Sequence, residues 1–125
     1  EGNAFLLVTS GSGSVQGVRN FAGSDDSPVP ASVDAMDASG NAVIAAGMSS
    51  DSDLPYLSRL SFQGNADNQD ERIRLDWRLE VKGAQEILDV SFFDGQKIFV
   101  AYRKSASDET AIRLYDLQGN QLSQP

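Results

Sequence analysis

The stretch from Val33 to Asn65 returns, without a gap, as Leu88 to Asn120. Shifting the chain by 55 positions places Asp34 on Asp89, Gly40 on Gly95, Ala46 on Ala101, Ser52 on Ser107, Asp53 on Asp108, and Gln63-Gly64-Asn65 on Gln118-Gly119-Asn120. Apolar positions match in kind: Val43 with Ile98, Leu57 with Ile112, Phe62 with Leu117. A period of about 50 residues belongs to one supersecondary unit used more than once, and each unit buries its apolar face only by stacking on a neighbour.

Within the unit the patterns are those of strands and turns. Ala42 to Met48 is a short apolar run between turn residues, which fits a strand buried on both faces, and its small Ala and Gly side chains would let neighbouring sheets approach closely. Tyr56 to Phe62 reads as the next strand. From Arg72 to Lys82, Ile73, Leu75, Trp77, Leu79 and Val81 alternate strictly with charged residues, which predicts one packed face and one face in water. Ala38-Ser39-Gly40-Asn41 supplies a turn, and Ser49 to Pro55 a polar connection. The second unit repeats three strands as Ile87 to Phe93, Lys97 to Arg103 and Ala111 to Leu117. Its fourth is missing or barely begun in Gln121 to Pro125. Ahead of the repeat, Ala4 to Thr9 and Val15 to Phe21 read as a hairpin closed by Ser10 to Gly13, and Ala22 to Ala31 as a Pro- and Asp-bearing surface loop.

The expected fold class is therefore all-β, built of antiparallel four-stranded sheets resembling propeller blades, about two and a quarter of them. Residues 1–22 are the last two strands of a preceding blade, 32–82 a complete blade, and 86–125 an incomplete following blade. Asp37-Ala38-Ser39-Gly40-Asn41-Ala42-Val43 reads as a strand pair, Ser49 to Pro55 as a Ser-rich connection ending in Asp53-Leu54-Pro55, and Asn3-Ala4-Phe5-Leu6 with Ser12-Gly13 as a closing strand and turn. With these motifs the chain resembles the seven-bladed β-propeller repeat family of bacterial surface and secreted proteins, with Leu54 in place of that family's Phe. Later copies depart from the pattern: Asp108-Glu109-Thr110 has no Pro, and Phe93-Asp94-Gly95-Gln96 is a shorter turn. A closed ring needs at least about four blades. The chain is thus expected to be a piece of a longer polypeptide opening on Glu1, to assemble with other copies, or to form an open two-sheet sandwich.

Composition narrows the function classes. A net charge of −8 repels phosphate backbones and anionic membrane surfaces, so nucleic acid is not an expected partner. No apolar run reaches the length of a membrane span. The chain has no His and no Cys, which removes Ser/His/Asp and Cys/His catalysis and His/Cys zinc sites from consideration. A Ser/Lys pair would need Lys82, Lys97 or Lys104, all in stretches that read as exposed.

Loop carboxylates are plentiful, and hard oxygen ligands on turns suit calcium. Asp51 and Asp53, echoed by Asp108, are the metal candidates, and no other cofactor is expected. Asn65 to Glu71 also alternates oxygen donors, without the Gly and Glu of an EF-hand loop. Arg72, Arg74, Arg78 and Lys82 would share a strand face, either as a surface for an acidic partner or, with Asp76 and Glu80 interleaved among them, pairing across strands on a solvated surface. Tyr56, Trp77, Tyr102 and Tyr115 would stack on a sugar or, at alternating strand positions, fill the core.

Repetition without a catalytic constellation leads to the expectation of a non-enzymatic structural and interaction module of a bacterial extracellular or surface protein. It would meet a protein or glycan partner through the loops between strands and the exposed face of the Arg72 strand, and the loops at Ser49 to Pro55 and Ser105 to Glu109 should be removable without loss of folding. It would meet other blades, or itself, at its open sheet edge after Asn120. The alternatives are part of a carbohydrate-binding or carbohydrate-active propeller, and an outward-facing domain of a filament or appendage subunit.

Overall fold

The computed structural model describes residues 5–9, 12–13, 15–20, 30–64, 67 and 72–122. Among these residues all regular structure is β, in antiparallel pairs and without a helix. β1 (Phe5–Thr9) and β2 (Val15–Asn20) form a hairpin. β3 (Ala35–Ser39), β4 (Ala42–Met48), β5 (Pro55–Phe62) and β6 (Ile73–Glu80) form a four-stranded meander. β7 (Ala84–Phe93), β8 (Lys97–Lys104) and β9 (Thr110–Asp116) form a three-stranded one. After β9 the chain turns back, where Gln121 bridges Tyr115 and Leu122 N donates to Leu114 O at 2.8 Å, so the fourth position of this sheet is begun.

The two larger sheets stack around one apolar core. Ile44, Ala46 and Leu57 from the first sheet cluster with Ile87, Val90, Ile98 and Val100 from the second, and β7 runs over β3 and β4. Residues of β4 serve both faces of their sheet, since Ala45 belongs with Leu60 and Ile73 to a smaller cluster on the other side. That is why the strand reads as continuously apolar. Polar clasps hold the stack: Asp37 Oδ2 accepts Phe92 N–H at 2.8 Å, and Trp77 Nε1 donates to Leu117 O at 2.8 Å. Of the small side chains in β4, Ala46 lies in the inter-sheet core, but Gly47 instead admits its own preceding segment, as a Cβ there would stand 2.3 Å from Ser32 O.

Three sequence expectations need correction. The gapless repeat holds for β4 with β8 and for β5 with β9, but β3 and β7 are displaced by one residue. Ser39 pairs with Ala42 across two turn residues, whereas Phe93 pairs with Lys97 across three. Asp94 and Gly95 both take positive φ, 57° and 65°, with Gln96 N donating to Phe93 O, a tight turn of the mirror-image kind followed by one extra residue. The fourth strand is not one packed and one wet face. Leu75 pairs with Leu60 and Trp77 with Arg59, leaving Asp76 as an unpaired bulge residue. An inserted residue moves every later side chain to the other face. Ile73 and Leu75 therefore pack in the smaller cluster, and Trp77 and Leu79 against the inter-sheet core. Finally, β7 begins at Ala84, ahead of the expected start at Ile87. Bulges at Gln85 and Leu88 bring Ala84, Ile87 and Val90 to the core at every third position, a spacing that period-two reading misses.

Candidate interaction surface

The register sorts the second sheet into two faces. Ile87, Val90, Phe92, Ile98, Val100 and Tyr102 look into the core. On the opposite face, Ser91 pairs with Phe99, Asp89 with Ala101, Phe99 with Leu114, and Ala101 with Ile112. In the first sheet the pairs at the same repeat positions are Asp37 with Ile44, Ala35 with Ala46, Ile44 with Arg59, and Ala46 with Leu57. The outer face of the second sheet is thus the second copy of the face that the first sheet buries.

The two copies differ in what covers them. Ile44, Ala46 and Leu57 are fully buried, whereas Ile112, the counterpart of Leu57, is 47% exposed and Phe99 and Ala101 are half-buried. Phe93 stacks on Phe99 with ring centroids 5.2 Å apart, extending the apolar strip to the turn. Asp89, Val90, Ser91, Phe99, Ala101 and Ile112 line an open groove of about 170 Å³ on this face. Ion pairing lies at its rim, where Arg103 Nε meets Glu86 Oε1 at 3.0 Å.

The metal candidates sit elsewhere. Asp51 and Asp53 are exposed on the β4–β5 connection and Asp108 on the equivalent β8–β9 connection. Asp108 holds φ 61° and its carboxylate accepts Gln85 Nε2. Among the described residues no three His, Cys, Asp or Glu side chains gather where they could hold a metal ion, so these three are not brought together. The Asn65 to Glu71 loop lies outside the described residues apart from the exposed Asp67, and so does the loop at Ala22 to Val29. Lys82, Lys97 and Lys104 are exposed.

The connection at Ser49 to Pro55 is not a removable loop. Ser49 and Pro55 are buried, Ser49 Oγ lies 2.8 Å from both Leu54 O and Ser52 Oγ, and Pro55 O accepts Val81 N at 2.9 Å. Excising it would break ties to Val81, just past β6, and to the segment at Pro30, which bridges Ser49.

The basic strand does not make a common surface either. The Asp76 bulge puts Arg74 opposite Ser61 and Arg78 opposite Ser58, on opposite faces of the sheet. Arg74 Nε and Arg59 Nη1 reach the Asp76 carboxylate at 3.0 and 3.2 Å, and Ser61 Oγ donates to it as well. The cross-strand pairing is real, but it centres on a nearly buried Asp76. Arg78 lies over the Tyr56 ring, 5.8 Å from its centroid. Tyr56, Tyr102 and Tyr115 are buried and serve the core, not a sugar platform. Burial pushes the Tyr56 phenol well above its ordinary range, opposed by Arg78 and aided by Asp34, and its O–H donates to Ser32 O at 2.7 Å. Arg113, also buried, has its guanidinium 4.7 Å from the Tyr102 ring centroid and donates to Tyr102 Oη. Burial works against its charge, but hydrogen bonds and attraction to Tyr115 and Tyr102 outweigh it and raise its pKa.

Sequence reasoning looked for function in loops and on the exposed face of the Arg72 strand, and missed the outer face of the second sheet. The same shift that sets Ala101 on Ala46 and Ile112 on Leu57 marked a second copy of one face, and only the structure shows that the first copy is covered and the second is not. Compared with protein-family models, with curated proteins and with solved structures, the chain finds no match.

Proposed function

We propose that this chain is a non-enzymatic, β-propeller-like structural and interaction module of a bacterial extracellular or surface protein, and that it works by stacking its blade-like sheets against a further protein surface. The observation that supports the reading is the apolar outer face of β7 to β9, whose Ile112 is exposed at the repeat position of the fully buried Leu57. End units of soluble stacked repeats carry polar outer faces. Its centre is apolar at Phe99, Ala101, Ile112 and Leu114, with Asp89 and Ser91 along β7 and Lys97 and Arg103 at the ends of β8, and the buried copy likewise carries Asp37 and Arg59, which supports a joint over a polar cap.

The test compares two equivalent positions. Ile112→Glu is expected to leave the unfolding free energy within about 0.5 kcal/mol of the parent, as a surface change does. Leu57→Glu, which places an unpaired carboxylate in the core, is expected to cost more than about 3 kcal/mol. Urea unfolding followed by the fluorescence of Trp77, the single tryptophan, measures both. Equal damage from the two changes would mean that the outer face serves this chain's own folding, and the reading would fall.

A further inference from the structure

The open face of β7 to β9 has a complement on the other side of the same molecule. Inside the chain, the outward-type face of the first sheet receives the inward-type face of the second, with β7 lying over β3 and β4. Val90 is the residue of β7 at the middle of that contact, paired with Val100 and 3% exposed. Its counterpart in the first sheet is Met36 on β3, paired with Ala45, and Met36 is 51% exposed. Ala45, Leu60 and Ile73 on the Met36 face are buried, so among the described residues the exposed parts of the joint are the groove at Asp89, Ser91, Phe99, Ala101 and Ile112 at one end and the β3 strip at Met36 and Ala38 at the other.

Resting on the reading of this outer face as a joint, we propose that it receives a second copy of this chain, head to tail, with β3 of one copy laid over β7 and β8 of the next and Met36 entering the groove beside Ile112. Several features fit this occupant. The intramolecular contact is carried chiefly by β7 against β3 and β4, so the equivalent contact between copies needs chiefly β3. Among the described residues, the β1–β2 hairpin meets the first sheet at β6, the edge opposite β3. Methionine is unbranched and polarizable and fills an irregular apolar groove readily. A heterologous contact of this kind uses different patches on the two partners, so it continues from copy to copy and either closes into a ring or runs on as a filament.

The experiment is sedimentation velocity on the whole chain across a concentration series, at an ionic strength of about 0.15 M so that repulsion between chains of net charge −8 is screened beyond about 8 Å. The wild-type chain is expected to associate with rising concentration beyond a dimer. Ile112→Glu and Met36→Glu are each expected to be monomeric alone. Mixed in equal amounts they are expected to form a one-to-one dimer and nothing larger, because each retains the half that the other has lost. The doubly substituted chain should stay monomeric in every mixture.

A wild-type chain that is monomeric throughout, while Ile112→Glu is as stable as the parent, overturns the self-association and leaves the interaction face for another partner. Loss of association with Ile112→Glu but not with Met36→Glu means that the outer face pairs with itself, which also overturns the head-to-tail arrangement. Should Ile112→Glu fail to fold, the interaction reading itself fails, and Met36→Glu with the wild-type series still decides the association.

Discussion

The carboxylate of Asp37 on β3 accepts the backbone N–H of Phe92 on β7 at 2.8 Å, joining two sheets that share no ladder. β7 is an edge strand, and half of the amides of an edge point away from its only neighbour. At the inter-sheet contact such an amide has little access to water, so it needs a protein acceptor. Asp37 is half-buried and provides one.

Asp37→Ala is expected to cost about 1 to 3 kcal/mol, the range for stranding a buried donor. Asp37→Asn retains an acceptor oxygen and is expected to recover part of that loss. Chemical denaturation of the two variants measures the difference, and hydrogen exchange at Phe92 should speed up in the alanine variant and less in the asparagine one. Equal stability of parent and Asp37→Ala would show that water replaces the carboxylate.

Gly47 makes a second kind of close approach. A Cβ at this position would lie 2.3 Å from Ser32 O and 2.8 Å from Ser32 C, backbone atoms that cannot rotate away. The same Ser32 carbonyl accepts the Tyr56 O–H, and Ser32 Oγ accepts Met48 N–H at 3.1 Å. Gly47→Ala is therefore expected to push the Ser32 segment off β4 and to destabilise the chain by about 1 to 3 kcal/mol, as overpacking does. Tyr56→Phe, which loses the O–H bond but keeps the ring, should cost about 1 kcal/mol. A Gly47→Ala chain as stable as the parent would count against the close approach.

Asp116 closes the turn after β9. Its carboxylate accepts Asn120 N–H and Gln118 N–H, each at 2.9 Å, and Asn120 Nδ2 at 3.1 Å. The backbone bond from Asn120 leads the causes that hold its carboxyl below the usual carboxylate range. A folded pKa below the unfolded value of about 3.9 means a contribution fully present above that pH and lost as pH falls through the lower folded value. NMR titration should place Asp116 below the model-peptide value. Asp116→Asn should flatten the fall in stability over that acid window, and an unchanged acid profile would remove this group from the account.

Much of the strand plan was legible because it is written locally. Ala42 to Met48 is a strand at its predicted bounds, and the other strands lie within a few residues of theirs, since turn residues and apolar runs act over four or five positions. Faces were less legible. Asp76 sits in an unbroken alternation from Arg72 to Lys82, and nothing in that segment alone marks it as a bulge. The bulge comes from Leu60 and Arg59 on the facing strand, which take Leu75 and Trp77 as partners. Likewise the extra residue in the Asp94-Gly95-Gln96 turn is invisible to an alignment that sets Gly95 on Gly40, and emerges only from the pairing of Phe93 with Lys97.

The opening repeat thus determined by itself that the chain is all-β and built from stacked copies of one sheet, because periodicity and turn chemistry are properties of neighbouring residues. Only the tertiary structure decided which copy of each face is buried. Leu57 and Ile112 are both β-strand aliphatics at one repeat position, yet the first meets the β7 sheet and the second meets solvent. Burial depends on what lies across the face, and no residue within a strand carries that information.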